Sequence, residues 1–271
     1  MTTMLTDEEF QLFKALIYQK VGINLDTPKK TLLISRLGKR LRELGMSSYQ
    51  AYYDSLSGKT GEEELTKLLD LISTNKTDFF REPVHFDFLR EQVLPQVQSA
   101  KTLRIWSAAS SSGEEPYTIA MTLLDALADM NRWDIKILAS DISTRMLAKG
   151  ASGMYEEERV SQLPQDLVRR FFLKGRGVQS GKFKIRPHVS QLVHFRRINL
   201  MDPNFPIRSP LDVIFCRNVM IYFDRPTQAT LMNKFHRYLR PGGYLFIGHS
   251  ESLQWIEHSF TYLQPTIYQK Q

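Results

Sequence analysis

A single cysteine, Cys216, excludes any disulfide framework within the chain and makes a reducing compartment the natural setting. No stretch reaches the ~20 apolar residues that span a bilayer. The opening MTTMLTDEEF lacks the basic region and apolar core of a targeting segment, so a cytoplasmic protein is expected. None of the six histidines stands at metal-ligand spacing from a Cys or Asp, and no metal is expected either. Glycine is scarce where a dinucleotide fold concentrates it: WSAASSSGEEPY, Trp106 to Tyr117, contains Gly113 alone. Without glycines the backbone is kept from a pyrophosphate at the helix N-terminus, and the adjacent acids Glu114 and Glu115 would repel one. Acids are missing from 29–42, where Lys29, Lys30, Arg36, Lys39, Arg40 and Arg42 all precede Glu43.

What is present describes a globular chain: 42% hydrophobic and 24% charged residues over 271 positions allow a substantial core. A net charge of +7 and a pI near 9.4 point to an acidic partner; nucleic acid, anionic membrane and acidic protein all stay open on charge alone. Residues 1–72 read as a small helical domain. TDEEFQLFKALIYQKVG starts on a Thr6 cap answered by Glu9, and carries Phe10, Phe13, Leu16 and Ile17 on one face. In TPKKTLLISRLGKRLREL, Leu33, Leu37, Leu41 and Leu44 repeat at helical spacing opposite the basic face, and further helices are expected over 49–56 and 62–72. STNKTDFFREP, 73–83, is a polar-aromatic linker closed by Pro83.

Over 84–271 the period changes. Apolar runs at 103–109, 135–140, 192–198, 211–216 and 244–248 have the length of buried strands, and helical patterns at 116–130, 143–150 and 227–239 separate most of them. This alternation predicts an α/β fold, a parallel sheet with helices on both faces. The interval from Gly150 to Leu192 holds about 40 residues where an ordinary connection holds ~2–6. Within it, LVRRFFLKGRGVQSGKFKIRP reads as two strands around a glycine-rich turn, so an inserted antiparallel β-subdomain is expected over about 155–190.

Ligands of open parallel sheets bind outside the carboxyl ends of the strands. Those ends carry Ser107 to Glu115, Ser140–Asp141, Asn199 and Arg217–Asn218. Each alone is ordinary turn chemistry; together they point to one shared ligand. Glu114 and Glu115 suit a cationic or hydroxyl-bearing group, with Pro116 fitting the first helical turn. For both glutamates a first-turn acid matched to the helix dipole is an equal reading. Asp141, roughly 30 residues after Gly113, stands where an acid binds ribose hydroxyls in nucleotide folds. A ribose, a cationic amino-acid part and no phosphate describe S-adenosylmethionine. Cys216, inside an apolar strand, reads as packing rather than as a nucleophile.

NKTDFFR, WSAASSSGEEPYTIA, ASDIS, IFCRNVMIYF and PGGYLFIGHSE follow one another over nearly the whole chain and resemble the CheR family of chemotaxis receptor methyltransferases. The resemblance implies a Rossmann-like class I methyltransferase sheet behind a helical receptor-recognition domain. It implies transfer of methyl from S-adenosyl-L-methionine to glutamate side chains of chemoreceptors, leaving glutamate methyl esters and S-adenosylhomocysteine, for adaptation in chemotaxis. Carried over, the cofactor contacts are Asn75, Thr77, Arg81, Glu115, Asp141 at the ribose, Asn199, Leu200, Arg217 and Asn218. Arg81, pairing with the methionine carboxylate or the incoming glutamate, and Tyr222, positioning the acceptor, are the catalytic candidates. The basic face of 29–42 would meet the acidic methylation helices of the receptor's cytoplasmic domain. The β-subdomain in some members docks a receptor C-terminal pentapeptide. A monomer is expected, with no nucleic-acid partner.

The chemistry agrees with what the site lacks. A glutamate with pKa ~4.3 is already the anion at neutral pH, and no general base is evident. An anion meeting a sulfonium cancels both charges, so alignment and exclusion of water should carry catalysis. Two other readings compete. An RNA methyltransferase would explain the high pI, but an Asn-Pro-Pro-Tyr type of motif for base amines is missing. A non-catalytic signalling adaptor would merely keep the nucleotide pocket.

Overall fold

The structure, a computed structural model, describes residues 4–26, 29–57 and 61–271. Helix α1 (Asp7–Val21) begins as its sequence requires: Thr6 Oγ1 accepts the Glu9 N–H at 3.1 Å, and Glu9 Oε2 accepts the Thr6 N–H at 2.8 Å. Gly22, at φ 71°, ends it. Helices α2 (Lys29–Leu44), α3 (Tyr49–Ser55) and α4 (Gly61–Ile72) close a separate core with it around Phe13, Ile17, Leu33, Leu37, Tyr52 and Leu68. Thr27 and Pro28, from the expected start of α2, lie outside the described residues. Leu44 is 38% exposed, so the buried stripe of α2 stops at Leu41, one turn short of the leucine spacing.

The linker runs into a helix that its pattern did not announce. It is built from α5 (Val84–Phe88), a wider π turn (Leu89–Val93) and α6 (Leu94–Val97). Pro95, which has no N–H to give a regular turn, explains the widening beside it.

There follow β1 (Thr102–Ala108), α7 (Glu114–Ala126), β2 (Asp134–Asp141) and α8 (Thr144–Ser152). The insertion holds β3 (Met154–Glu156), α9 (Glu157–Val160), α10 (Gln165–Phe171), β4 (Phe172–Lys174), β5 (Lys182–Ile185) and α11 (Pro187–Ser190). The chain returns through β6 (Val193–Arg197), β7 (Leu211–Cys216), α12 (Arg225–Tyr238), β8 (Leu239–Ile247), β9 (Phe260–Gln264) and β10 (Ile267–Lys270). The main sheet has the order β6-β2-β1-β7-β8-β10-β9, parallel from β6 to β8, with β10 antiparallel to both its neighbours. All six residues of β7 are buried because both sheet faces are covered: Val213 and Phe215 face one core, Ile214 and Cys216 the other. The inserted sheet is three-stranded, β3-β5-β4, and not the two-stranded unit expected. The missed strand, β3, is three residues long, too short to show an alternation.

The order of strands reverses at β1, with β2 and β6 to one side and β7 and β8 to the other. A crevice therefore opens at the carboxyl ends of β1 and β7. The helical domain lies across it. Asn24 N–H donates to Tyr222 O at 2.8 Å, and Asn199 Nδ2 donates to Lys20 O at 2.6 Å. Gly22, packed against the flexible end of Met201, stands at a φ of 71° that favours glycine at this contact.

Candidate active site

The crevice is lined by segments distant in sequence. Asn75, Thr77 and Arg81 come from the linker, Glu115 from the start of α7, Asp141 from the end of β2, Asn199 and Leu200 from beyond β6, and Arg217, Asn218 and Tyr222 from beyond β7. Every expected cofactor contact and both catalytic candidates thus share one cavity. Val21 and Ile23 of the helical domain complete its wall.

The loop after β1 is shaped without a glycine run. Ala109 and Ser111 stand at φ 71° and 47°, and Gly113 at 95°. Their left-handed conformations are held by neighbours: Ser110 N–H donates to Ser140 O at 2.8 Å, and Ser111 N–H to Asp141 Oδ2 at 2.8 Å. Asp141 Oδ1 accepts the Ser143 N–H at 2.9 Å, so one carboxylate ties the β1 and β2 loops together. Burial pushes its pKa up, while the backbone N–H groups oppose that. Each carboxylate oxygen keeps a lone pair for a hydroxyl on the cavity side.

The two glutamates part company. Glu114 is fully buried, its Oε2 accepting from Ser112 Oγ at 2.7 Å, and it does not line the cavity. Glu115 does line it. Its Oε1 accepts from Ser107 Oγ at 2.7 Å and its Oε2 from Arg217 Nη1 at 3.0 Å. Burial raises the Glu115 pKa, with Arg217 and Ser107 pulling the other way. Arg217, with a side chain 2% exposed, lies between Glu115 and Glu82, whose Oε2 it reaches at 2.9 Å. Burial works against the charge of Glu82, yet Arg217, Asn218 and the His249 N–H outweigh it and hold its pKa below the usual value. Glu82, His85 and His249 bring three potential metal donors within 4.8 Å of one another, a cluster invisible in linear spacing. Of the three, Glu82 also accepts from the Arg217 guanidinium through Oε2 at 2.9 Å.

Other expected residues have partners of their own. Asn199 spends its amide on Lys20 O and on the Met201 N–H at 3.0 Å, bracing the junction from the cavity wall. Arg81 Nη1 donates to Lys76 O at 3.2 Å. Cys216 is buried outside the cavity lining, and burial pushes its thiol up, which suits packing. The basic face of α2 is less free than its sequence suggests. Arg36 Nη1 donates to Leu71 O and Ser73 O at 2.7 and 3.0 Å, and Arg40 makes a paired contact with Glu64 at 2.8 and 2.7 Å. Lys30 pairs with Asp7 and Lys29 with Asp26. Lys39 and Arg42 are exposed and have no ion pair among the described residues. Arg36, Arg40, Lys67 and Arg145 line a groove that meets the main cavity at Ser73 and Asn75. Glu82 and Arg145 were missed from sequence because nothing local marks them; only the fold brings them to the site.

The donor set fits S-adenosylmethionine. Carboxylates of Glu115 and Asp141 face the cavity, and the buried Arg217 Nε has no protein partner and remains for an acceptor. Fold and site together define a class I S-adenosylmethionine-dependent methyltransferase. Residues 75–269 match the family described as CheR methyltransferase, SAM binding domain, and residues 8–73 match CheR methyltransferase, all-alpha domain. The chain is similar to chemotaxis protein methyltransferase 2 of Pseudomonas aeruginosa, 44% identical over 97% of this chain and 93% of that protein. It is also similar to the chemotaxis protein methyltransferases of Borreliella burgdorferi (41%, covering 98% and 95%) and Escherichia coli K12 (39%, covering 97% and 91%). The chain belongs to the CheR methyltransferase family.

Proposed function

We propose that this chain methylates glutamate side chains of chemoreceptors, producing glutamate methyl esters and S-adenosylhomocysteine. The observation that carries the reading is the meeting of two surfaces: an acid-lined cofactor cavity adjoins, through Ser73 and Asn75, a groove in which the cations Arg36, Arg40, Lys67 and Arg145 outnumber the acids Glu43 and Asp70. A groove of that sign attracts an acidic acceptor segment and orients it toward the cavity. The names of the similar proteins, chemotaxis protein methyltransferases, support the same substrate class.

In this reading the residues divide by task. Glu115 and Asp141 accept from the cationic and hydroxyl groups of the cofactor, and Arg217 Nε donates to its carboxylate. Asn75, Thr77, Asn199, Leu200 and Asn218 shape the remaining wall. When bound, S-adenosylmethionine supplies an electrophilic methyl carried on a sulfonium. Arg81, half-exposed at the cavity edge, draws in the acceptor carboxylate, and Tyr222 fixes its orientation. That carboxylate is anionic at neutral pH, so none of these residues has to remove a proton. The protein contributes alignment and a site shielded from water. Residues 1–72 serve as the receptor-recognition domain, 73–83 as a linker contributing to the cofactor site, and 84–271 as the methyltransferase domain.

The test is transfer of labelled methyl to a chemoreceptor fragment. Label released as methanol by mild alkali, and lost when the acceptor glutamates are changed to alanine, is expected. Alkali-stable label would overturn the reading.

A further inference from the structure

Glu82 has no task in the scheme above, yet its carboxylate accepts from three separate residues behind the cavity wall. Its side chain is 10% exposed. Oε2 accepts from Arg217 Nη2 at 2.9 Å, and Oε1 accepts from Asn218 Nδ2 at 3.3 Å and from the His249 N–H at 3.2 Å. One carboxylate therefore joins the linker to the ends of both β7 and β8. Its backbone stands at φ 58°, in a left-handed conformation that a glutamate keeps only where its surroundings hold it.

The same guanidinium nitrogen that binds Glu82 also donates to the Arg81 carbonyl, at 2.5 Å. Arg217 Nη2 thus pins the main chain of Arg81 and the side chain of Glu82 together. Arg217 has a second anchor, Glu115, on its other prong. Arg81 itself is differently placed. Its side chain is 35% exposed and touches only Lys76 O at 3.2 Å and, more distantly, Glu82 Oε1 at 3.9 Å. It is a reaching side chain on a fixed base.

The neighbouring histidine removes an alternative. Thr266 Oγ1 donates to Pro265 O at 2.5 Å, so it accepts from His85 Nε2 at 2.6 Å, and Nε2 carries the hydrogen. Burial pushes His85 down to about 3, which leaves the ring neutral and Nδ1 bare. That bare nitrogen is buried, unpartnered and 3.7 Å from Glu82 Oε2. It has no proton to share with the carboxylate, so the charge of Glu82 is answered by Arg217.

We propose that Glu82 is a positioning residue for methyl transfer: locked on Arg217, it fixes the backbone from which Arg81 reaches the acceptor. The proposal rests on the reading of Arg81 as the acceptor-side cation. It predicts that Glu82 acts on turnover and not on cofactor affinity, because Arg217 keeps its hold on Glu115.

The experiment compares Glu82→Gln, Arg81→Ala and the double variant in the full-length protein. Turnover is normalised to the number of sites that bind S-adenosylhomocysteine by calorimetry, which removes any loss due to misfolded protein. Glu82→Gln keeps the shape and loses the charge. A misplacement of about an ångström costs on the order of 100-fold, so kcat should fall ~10- to 100-fold with the S-adenosylhomocysteine Kd within ~3-fold of the parent. In the Arg81→Ala background the same change should cost less than ~3-fold more, since two residues acting through one contact are not additive. A full additional loss in the double variant, or a parental kcat for Glu82→Gln, would overturn the proposal and leave Arg81 standing. A parental kcat for Arg81→Ala would overturn the Arg81 assignment and this proposal with it. Should Glu82→Gln not fold, Glu82→Asp keeps the charge, shortens its reach, and is read by the same non-additivity.

Discussion

Asp141 does two things with one carboxylate: it closes two loops through the N–H groups of Ser111 and Ser143, and it presents its remaining lone pairs to the cavity. Asp141→Asn turns one of those acceptors into a donor facing a backbone N–H. Calorimetry should therefore show a Kd for S-adenosylhomocysteine raised at least ~10-fold, or about 1.4 kcal/mol, and an unchanged Kd would mean that Asp141 only closes the loops. Cys216 makes the opposite case. Cys216→Ser puts a hydroxyl without a designed partner into a fully buried strand, so stability should fall by about 1–3 kcal/mol, read as a lower Tm. Turnover per folded molecule should stay within ~2-fold, because burial keeps the thiol protonated and the residue does not line the cavity. At this scale the sequence was informative where a polar residue closes an apolar strand: Glu115, Asp141, Asn199, Arg217 and Asn218 were found that way, and all line one cavity. Glu82 escaped, because its role exists only as a contact with Arg217.

Among the elements, α2 and α4 are joined by the Arg40–Glu64 pair, with Tyr52 donating to the same carboxylate at 2.9 Å. The Arg40 hydrogen bond is the main cause holding Glu64 below its ordinary 4.5, with burial opposing it. A depressed carboxylate stabilises the fold fully above pH 4.5 and loses that contribution as pH falls through its lower folded value. The helical domain should therefore lose stability below about pH 4.5. In Glu64→Gln, far-ultraviolet dichroism through a thermal melt should show a lower Tm at pH 7 and a smaller further drop on acidification. A drop equal to the parent's would show that the pair contributes nothing. Element legibility followed signal strength. The capping box and one-sided aromatics of α1 predicted it outright, and apolar runs announced β1, β2, β6, β7 and β8. The β9–β10 hairpin was missed because Thr261, Tyr262 and Leu263 of β9 are exposed, so it offers no apolar run. The helix over 84–97 was missed because Pro95 interrupts its period.

For the whole molecule, the net charge of +7 is spent unevenly. Arg36 and Arg40 brace the helical domain from within, while Lys39 and Arg42 remain exposed. Lys39→Glu with Arg42→Glu should weaken binding to an acidic receptor fragment by ~3- to 10-fold at low salt, with the difference shrinking at high ionic strength. The S-adenosylhomocysteine Kd should not move. Arg36→Glu should lower Tm as well as receptor binding, since it breaks two bonds to carbonyl groups and reverses a charge in the groove; an unchanged Tm would show that those two bonds contribute nothing. The junction above the cavity has a thermodynamic meaning of its own. Val21 and Ile23 belong to one domain and Asp141 and Arg217 to the other, yet all of them border the same space. A ligand that touches both sides of that space favours the docked arrangement, by at most about 2.7 kcal/mol at a ligand concentration near 100 times Kd. Ligand binding thereby tightens the hold of the helical domain on the sheet domain, and any force that separates the two is felt as a loss of affinity in the cavity.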